Sequence, residues 1–246
     1  MKFQQSKYKK LSISFILLSV LFLGGCDTLS QISKSLDLGT PTDSEINSGL
    51  KQALEYGTSY ASGELSKEDG YFGNIAVKIL FPDEAKKVEN TLRSLGLGSV
   101  CDQVILSVNR AAEDAAKEAK PIFVDAIKQM TITDVKNILL GQNDAATQYF
   151  EGKTTSSLES KFKPVIQSSL DKVGATKYWS DLITKYNKVP LVTPIEADLS
   201  TYVTKKAIDG LFHEIAIEEL KIRESAAARS TFLLQKVFGY AEKQGS

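Results

Sequence analysis

The chain holds one histidine, His213, followed by Glu214. A zinc-peptidase helix needs a second histidine four residues on, so that both imidazoles leave the same helix face. Position 217 is Ile217, and the motif fails at a ligand. His213 therefore reads as a helix residue at a core edge or on the surface. No Gly-x-Ser-x-Gly elbow occurs to strain and expose a nucleophilic serine. Gly96-Leu97-Gly98-Ser99-Val100-Cys101 opens a helix but lacks the third glycine and the preceding strand of a dinucleotide loop, so it reads as a helix stop and restart. Carboxylates remain. Glu113, Asp125, Asp134, Asp144, Asp209, Glu218 and Glu219 are candidates for a metal or an acid–base pair, set among 30 acidic residues that mostly read as solvated helix faces. The expectation is no metal site, no cofactor and no catalytic residue.

One charged pair stands apart. Arg110 and Glu113 lie three residues apart, on one side of a helix, beside the small residues Ala111, Ala112 and Ala115. An alanine stripe draws a neighbouring helix close, so polar groups along its border lose water and need partners. The same helix also offers the exposed pairs Arg110/Asp114 and Glu113/Lys117, which would be worth under about 1 kcal/mol on a wet surface. The reading favours the buried network, a structural clamp, with Arg110, Glu113, Lys120, Asp144 and Asp209 as its structural or binding residues.

The two cysteines differ in setting. Lys2, Lys7, Lys9 and Lys10 precede an apolar run, Leu11 to Leu23, broken only by Ser12, Ser14 and Ser19. As a helix that run reaches roughly 20 Å, short of the ~30 Å hydrocarbon layer, which fits an export signal better than a permanent span. It ends Leu23-Gly24-Gly25-Cys26, which resembles the lipobox of bacterial lipoproteins. That resemblance implies cleavage after Gly25 and acylation of Cys26. Two or three chains, palmitate among them, would hold the protein firmly, because each buried CH₂ contributes about 0.8 kcal/mol. Asp27 resembles an inner-membrane retention signal of some enteric bacteria, and the choice of membrane stays open. With Cys26 acylated, Cys101 has no disulfide partner and reads as a small buried hydrophobe.

Removing residues 1–25 takes away four lysines and no acid, which turns a net charge of zero into about −4. That balance argues against nucleic acid, whose phosphates call for a clustered basic face. Residues 26–41 read as the acylated N-terminus and a flexible tether. Residues 42–240 form a single domain, and 241–246 a tail.

The elements that carry these residues are helical. Thr42-x-x-Glu45 has capping-box spacing, and Ile46, Leu50, Ala53 and Leu54 follow at helical spacing towards Leu65. Ile75 to Phe81 is the best strand-like run, closed by Pro82. Its one candidate partner is 188–195, so either a small two-stranded ribbon or a buried extended arm is expected there. Helical pattern resumes at Asp83 and again at Ser99, with Pro121 restarting or kinking it. Thr131-x-x-Asp134 is a second helix-start box. Helices are predicted at 143–151, at 155–173 with a kink near Pro164, at 175–187, from Asp198 to about Glu224, and at 229–238, stopping at Gly239. The fold class is mainly α: a compact multi-helix array of about nine helices with at most one small two-stranded ribbon.

Several segments together resemble a known family. They are Gly49-Leu50-Lys51, Asp69-Gly70-Tyr71-Phe72-Gly73-Asn74, Asn109-Arg110-Ala111-Ala112-Glu113, Ala119-Lys120-Pro121-Ile122-Phe123, Asp144-Ala145-Ala146-Thr147-x-Tyr149-Phe150, Tyr202-Val203-Thr204-x-Lys206-Ala207-x-Asp209-Gly210-Leu211-Phe212 and Val237-Phe238-Gly239. With these the chain is similar to the domain of unknown function 4197 family, lipoproteins and periplasmic proteins of Gram-negative bacteria. The resemblance spans roughly residues 44–239. It implies a helical envelope protein and assigns no activity. The family pattern favours proline where Ala227 stands, which bears only on a local helix start.

Two functions remain in view. The leading one is a membrane-anchored envelope lipoprotein facing the periplasm, a non-enzymatic helical binding module whose partner is an envelope protein or an apolar ligand. The alternative is an enzyme with a carboxylate- and Arg-lined pocket near Arg110, Asp144 and Asp209.

Overall fold

The computed structural model describes residues 38–188, 194 and 198–244. The chain divides into two units, residues 1–40 and 41–246. Of the first only 38–40 are described, so the export signal, Leu23, Gly24, Gly25, the acyl acceptor Cys26 and most of the tether lie outside the described residues. The same holds for most of 188–195, the strand partner considered for Ile75–Phe81.

Nine α-helices make up the second unit among the described residues: α1 Asp43–Leu65, α2 Lys86–Ser94, α3 Gly98–Ala116, α4 Ala119–Gln129, α5 Ile132–Leu139, α6 Ala145–Lys172, α7 Ala175–Tyr186, α8 Leu199–Glu224 and α9 Phe232–Gln244. Short 3₁₀ turns stand at Asp83–Ala85 and Ala226–Ala228. Two starts are set by reciprocal caps. The Thr42 hydroxyl accepts from Glu45 N while the Glu45 carboxylate accepts from Thr42 N, and Thr131 with Asp134 repeats the device at α5.

The two longest helices, α6 and α8, pack against each other. α3 lies across both, α7 touches both, and α1 joins α8 to α4, α5 and α9. In α6 the buried residues other than Thr147 fall four apart: Ala146, Phe150, Thr154, Leu158, Phe162, Ile166 and Leu170. Four residues overshoot one turn by about 40°, so the apolar stripe winds around the helix and meets α3, α4 and α8 in turn. Phe123 of α4 sets its ring edge-on to Phe150 and Phe212, at centroid distances of 5.4 and 6.2 Å, and seals the centre. Every described core side chain lies between Ile46 and Phe238.

Three differences from the sequence reading have physical reasons. The helices expected at 143–151 and 155–173 are one, because the winding stripe spans the weak run from Gly152 to Ser157. Buried Thr154 turns its hydroxyl back onto Phe150 O at 2.6 Å instead of breaking the chain. Pro164 sits on the exposed face, where water can satisfy the carbonyl that its missing N–H leaves open. The last helix runs through Gly239 to Gln244, because Tyr240 and Ala241 still pack on the core. Finally, no strand forms among the described residues. Ile75–Val77 make a turn, and Lys78–Pro82 run without ladder or helix.

Candidate functional site

Residues 66–82 form an irregular arm between α1 and the first 3₁₀ turn. Tyr71, Val77, Ile79 and Phe81 are buried in it, so its backbone groups need partners that no neighbouring strand supplies among the described residues. Side chains of α3 take that place. The Glu113 carboxylate accepts from Tyr71 N and Phe72 N through Oε1, both at 3.1 Å. One turn earlier, Asn109 Oδ1 accepts from Ile79 N at 2.8 Å while Nδ2 donates to Ile79 O at 2.7 Å. Ala111, Ala112, Ala115 and Ala116, all essentially inaccessible, let α3 lie close enough for these short side chains to reach.

Arg110 completes the clasp. Its guanidinium donates to Glu113 Oε2 at 2.6 Å and to the Asp69 carboxylate at 2.7 Å, with Glu68 at 3.3 Å. Glu113 is 4% exposed and Arg110 33%, so the carboxylate is the desolvated partner and the cation keeps about a third of its surface in water. Asp69 sits at φ 66°, the left-handed region that a non-glycine residue rarely adopts. The exposed pairs Arg110/Asp114 and Glu113/Lys117 do not form. Lys117 turns instead to Asp114 at 2.8 Å.

From the other side, α8 holds the same arm. The buried Tyr71 hydroxyl donates to Ala207 O at 2.7 Å, Tyr202 donates to Leu80 O at 2.9 Å, and Asn74 donates to Glu214 at 2.8 Å. A Cβ on Gly210 would meet Tyr71 Cε1 at 2.9 Å and Val77 Cβ at 3.0 Å, so only glycine lets α8 come this near. The arm and α8 leave between them an open groove of about 690 Å³, lined among others by Lys78, Leu80, Asp83, Lys206, Asp209 and His213. Burial pushes the Tyr202 phenol up to about 12, helped by the negative charges of Asp83, Glu84 and Asp209. Lys78 rests over the Phe72 ring, 3.8 Å from its centroid.

The segments at 69–74, 109–113 and 202–212 thus meet at one place. A family model described as a protein of unknown function (DUF4197) matches residues 40–239. The chain belongs to this family. No curated protein and no solved structure matches it.

A second buried carboxylate lies elsewhere in the DUF4197 fold. Glu219 of α8 accepts from Ala146 N and Thr147 N, each at 2.9 Å, and so caps the first turn of α6. Arg223, one turn on, donates to Glu219 at 2.8 Å and to Ile138 O and Leu139 O at 2.8 and 3.2 Å, capping the end of α5. Arg229 closes α8 in the same way through Ile222 O and Arg223 O, at 2.9 and 2.6 Å.

The other residues singled out by sequence are dispersed. Lys120 is exposed on the first turn of α4. Asp144 precedes α6 and accepts from Gln148 at 2.9 Å. Asp209 lines the groove, 3.6 Å from Lys206, apart from Arg110 and Asp144. Cys101 is buried, and burial pushes its thiol up, away from reactivity. Among the described residues no cluster of three His, Cys, Asp or Glu is placed to hold a metal, and no helix is long and apolar enough to cross a membrane.

Sequence reasoning misses Asn109, Arg223, Arg229 and the groove position of His213, and it sees Glu219 only as one carboxylate among many. A signal exists for two of them. Asn109 lies on the core stripe Ile105–Asn109–Glu113–Ala116, and Glu219 falls between Ile215 and Ile222 on theirs. A polar residue at a core position must find a buried partner.

Proposed function

We propose that this chain is an envelope lipoprotein, exported to the periplasm and acylated on Cys26 with palmitate-like chains, whose DUF4197 domain is a binding module. The binding surface is the groove between the 66–82 arm and α8. One observation carries the reading. The fold directs two buried polar side chains of α3, Asn109 and Glu113, together with the half-buried Tyr202 of α8, to fixing an irregular backbone segment whose outer side is the groove wall. Irregular segments held rigid on a helical scaffold are where proteins place recognition. The lining mixes Leu80 with Lys78, Lys206, Asp83 and Asp209, which suits a partner presenting both polar and apolar groups more than a purely apolar ligand.

The enzyme reading requires Arg110, Asp144 and Asp209 to meet. Arg110 is engaged with Glu113 and Asp69, Asp144 starts α6, and of the three only Asp209 faces the groove.

Two measurements test the proposal. Cys26→Ser should leave an unprocessed precursor that no longer incorporates labelled palmitate; normal labelling of that variant would overturn the anchoring. Affinity capture from solubilised envelopes should then be compared between the wild type and an Asp209→Arg, His213→Glu variant. A lipid or protein retained only by the wild type supports the groove, and identical sets contradict it.

A further inference from the structure

α2 buries no residue, and it ends in a hairpin tip whose sequence from Ser94 to Cys101 carries no charge. Three large aliphatic side chains stand out of that tip: Leu95 at 69%, Leu97 at 43% and Val100 at 49% exposure. The one flanking arginine, Arg93, is held by two carboxylates, Glu89 and Asp102, each at 2.8 Å, so it offers no free cation beside the tip. The tip backbone is closed on itself. Leu97 N donates to Leu92 O at 3.0 Å and Gly96 N to Arg93 O at 3.1 Å, with Gly96 at φ 80°, and Val100 N and Cys101 N return to Leu97 O. Apolar side chains on a turn that bonds much of its own backbone, with no free cation among them, are what the lipid–water interface admits at low cost.

We infer that the α2–α3 tip, Leu95, Leu97 and Val100, inserts into the surface of a lipid bilayer. This rests on the anchoring reading above: at most fifteen residues separate Cys26 from Thr42, a reach of about 50 Å when fully extended. The acyl group thereby holds the domain at high effective concentration beside the bilayer, so a weak insertion suffices. The absence of an unpaired basic cluster at the tip means that insertion depends on apolar area and not on lipid charge.

The test uses the mature chain, residues 26–246 with Cys26→Ser, held on vesicles by an N-terminal hexahistidine and a nickel-chelating lipid. The artificial tether makes the outcome independent of whether Cys26 is acylated. A polarity-sensitive fluorophore is placed on Leu97→Cys, Cys101 being buried from the reagent, and on Lys161→Cys as a control. The expected result is a blue shift, with several-fold quenching by lipid-borne spin labels, at position 97 and not at 161. It should be equal on phosphatidylcholine and on phosphatidylglycerol vesicles and should persist in high salt. Emission at 97 that vesicles leave unchanged overturns the inference. So does the same shift produced without vesicles by raising protein concentration, which would mark a contact between copies of the chain.

Discussion

Asn109 and Ile79, thirty residues apart, exchange two hydrogen bonds: the amide nitrogen donates to Ile79 O at 2.7 Å and the amide oxygen accepts from Ile79 N at 2.8 Å. A neighbouring strand would offer the same pair of bonds. Here one helix side chain substitutes for a strand. Asn109→Ala strands two buried backbone groups, at about 1–3 kcal/mol each, so a loss near 3 kcal/mol is expected in urea unfolding. A loss below about 0.5 kcal/mol would mean that water replaces the amide without penalty.

Arg110 and Glu113 should prove unequal. Glu113→Ala removes the acceptor for Tyr71 N and Phe72 N as well as the ion pair, and should cost most. Arg110→Ala leaves a buried carboxylate with two backbone donors and no cation. Because the guanidinium is one-third exposed, a loss of about 2–3 kcal/mol is expected, below the usual range for a fully buried pair. The double variant Arg110→Ala, Glu113→Gln should lose less than the sum of its parts. Urea midpoints for the set decide it, and strict additivity would show that the two do not act together.

Two glycines predict opposite signs. Gly210→Ala drives a methyl into Tyr71 and Val77 and should cost about 1–3 kcal/mol. Gly152 lies inside α6, and a Cβ there would meet nothing within 4 Å, so Gly152→Ala should add about 0.5–1 kcal/mol through helix propensity alone. Thermal unfolding of both variants reads the signs directly, and a destabilised Gly152→Ala would contradict the packing described for α6.

Much of the scaffold is legible in the chain. The starts at Thr42 and Thr131 are readable because a capping box is complete within four residues. The unity of α6 is not, because local propensity at Gly152–Ser157 points to a break and the burial that overrides it comes from α3, α4 and α8. The clasp is half legible. Arg110 and Glu113 announce a desolvated pair beside an alanine stripe, yet their principal cargo is the backbone of Tyr71 and Phe72, about forty residues upstream. No periodicity within α3 encodes that distance.

Asp198 gives a pH signature. It caps α8 by accepting from Thr201 N at 3.1 Å. Burial raises its pKa, but hydrogen bonds from Ser200, Lys163 and Thr201 outweigh this and hold the carboxyl well below the usual carboxylate range. A folded-state pKa below the unfolded one means that the stabilisation is complete above about pH 4 and is lost as pH falls below it. Asp198→Asn keeps a capping oxygen and removes the charge. Its deficit should be at most about 1 kcal/mol at pH 6, given solvent screening, and should close towards pH 2. A deficit that does not change with pH would assign the effect to packing.

Amide hydrogen exchange at Tyr71, Phe72 and Ile79, resolved by NMR, tests the side-chain clasp most directly. These three amides lie outside every helix, yet each donates to a side-chain oxygen of α3, at buried sites for Tyr71 and Ile79 and a part-buried one for Phe72. They should exchange as slowly as the buried helical amides of α3 itself. In Asn109→Ala, protection should fall at Ile79 and persist at Tyr71 and Phe72, which Glu113 holds. Fast exchange at all three in the wild type, or an Ile79 amide indifferent to Asn109→Ala, would contradict the account.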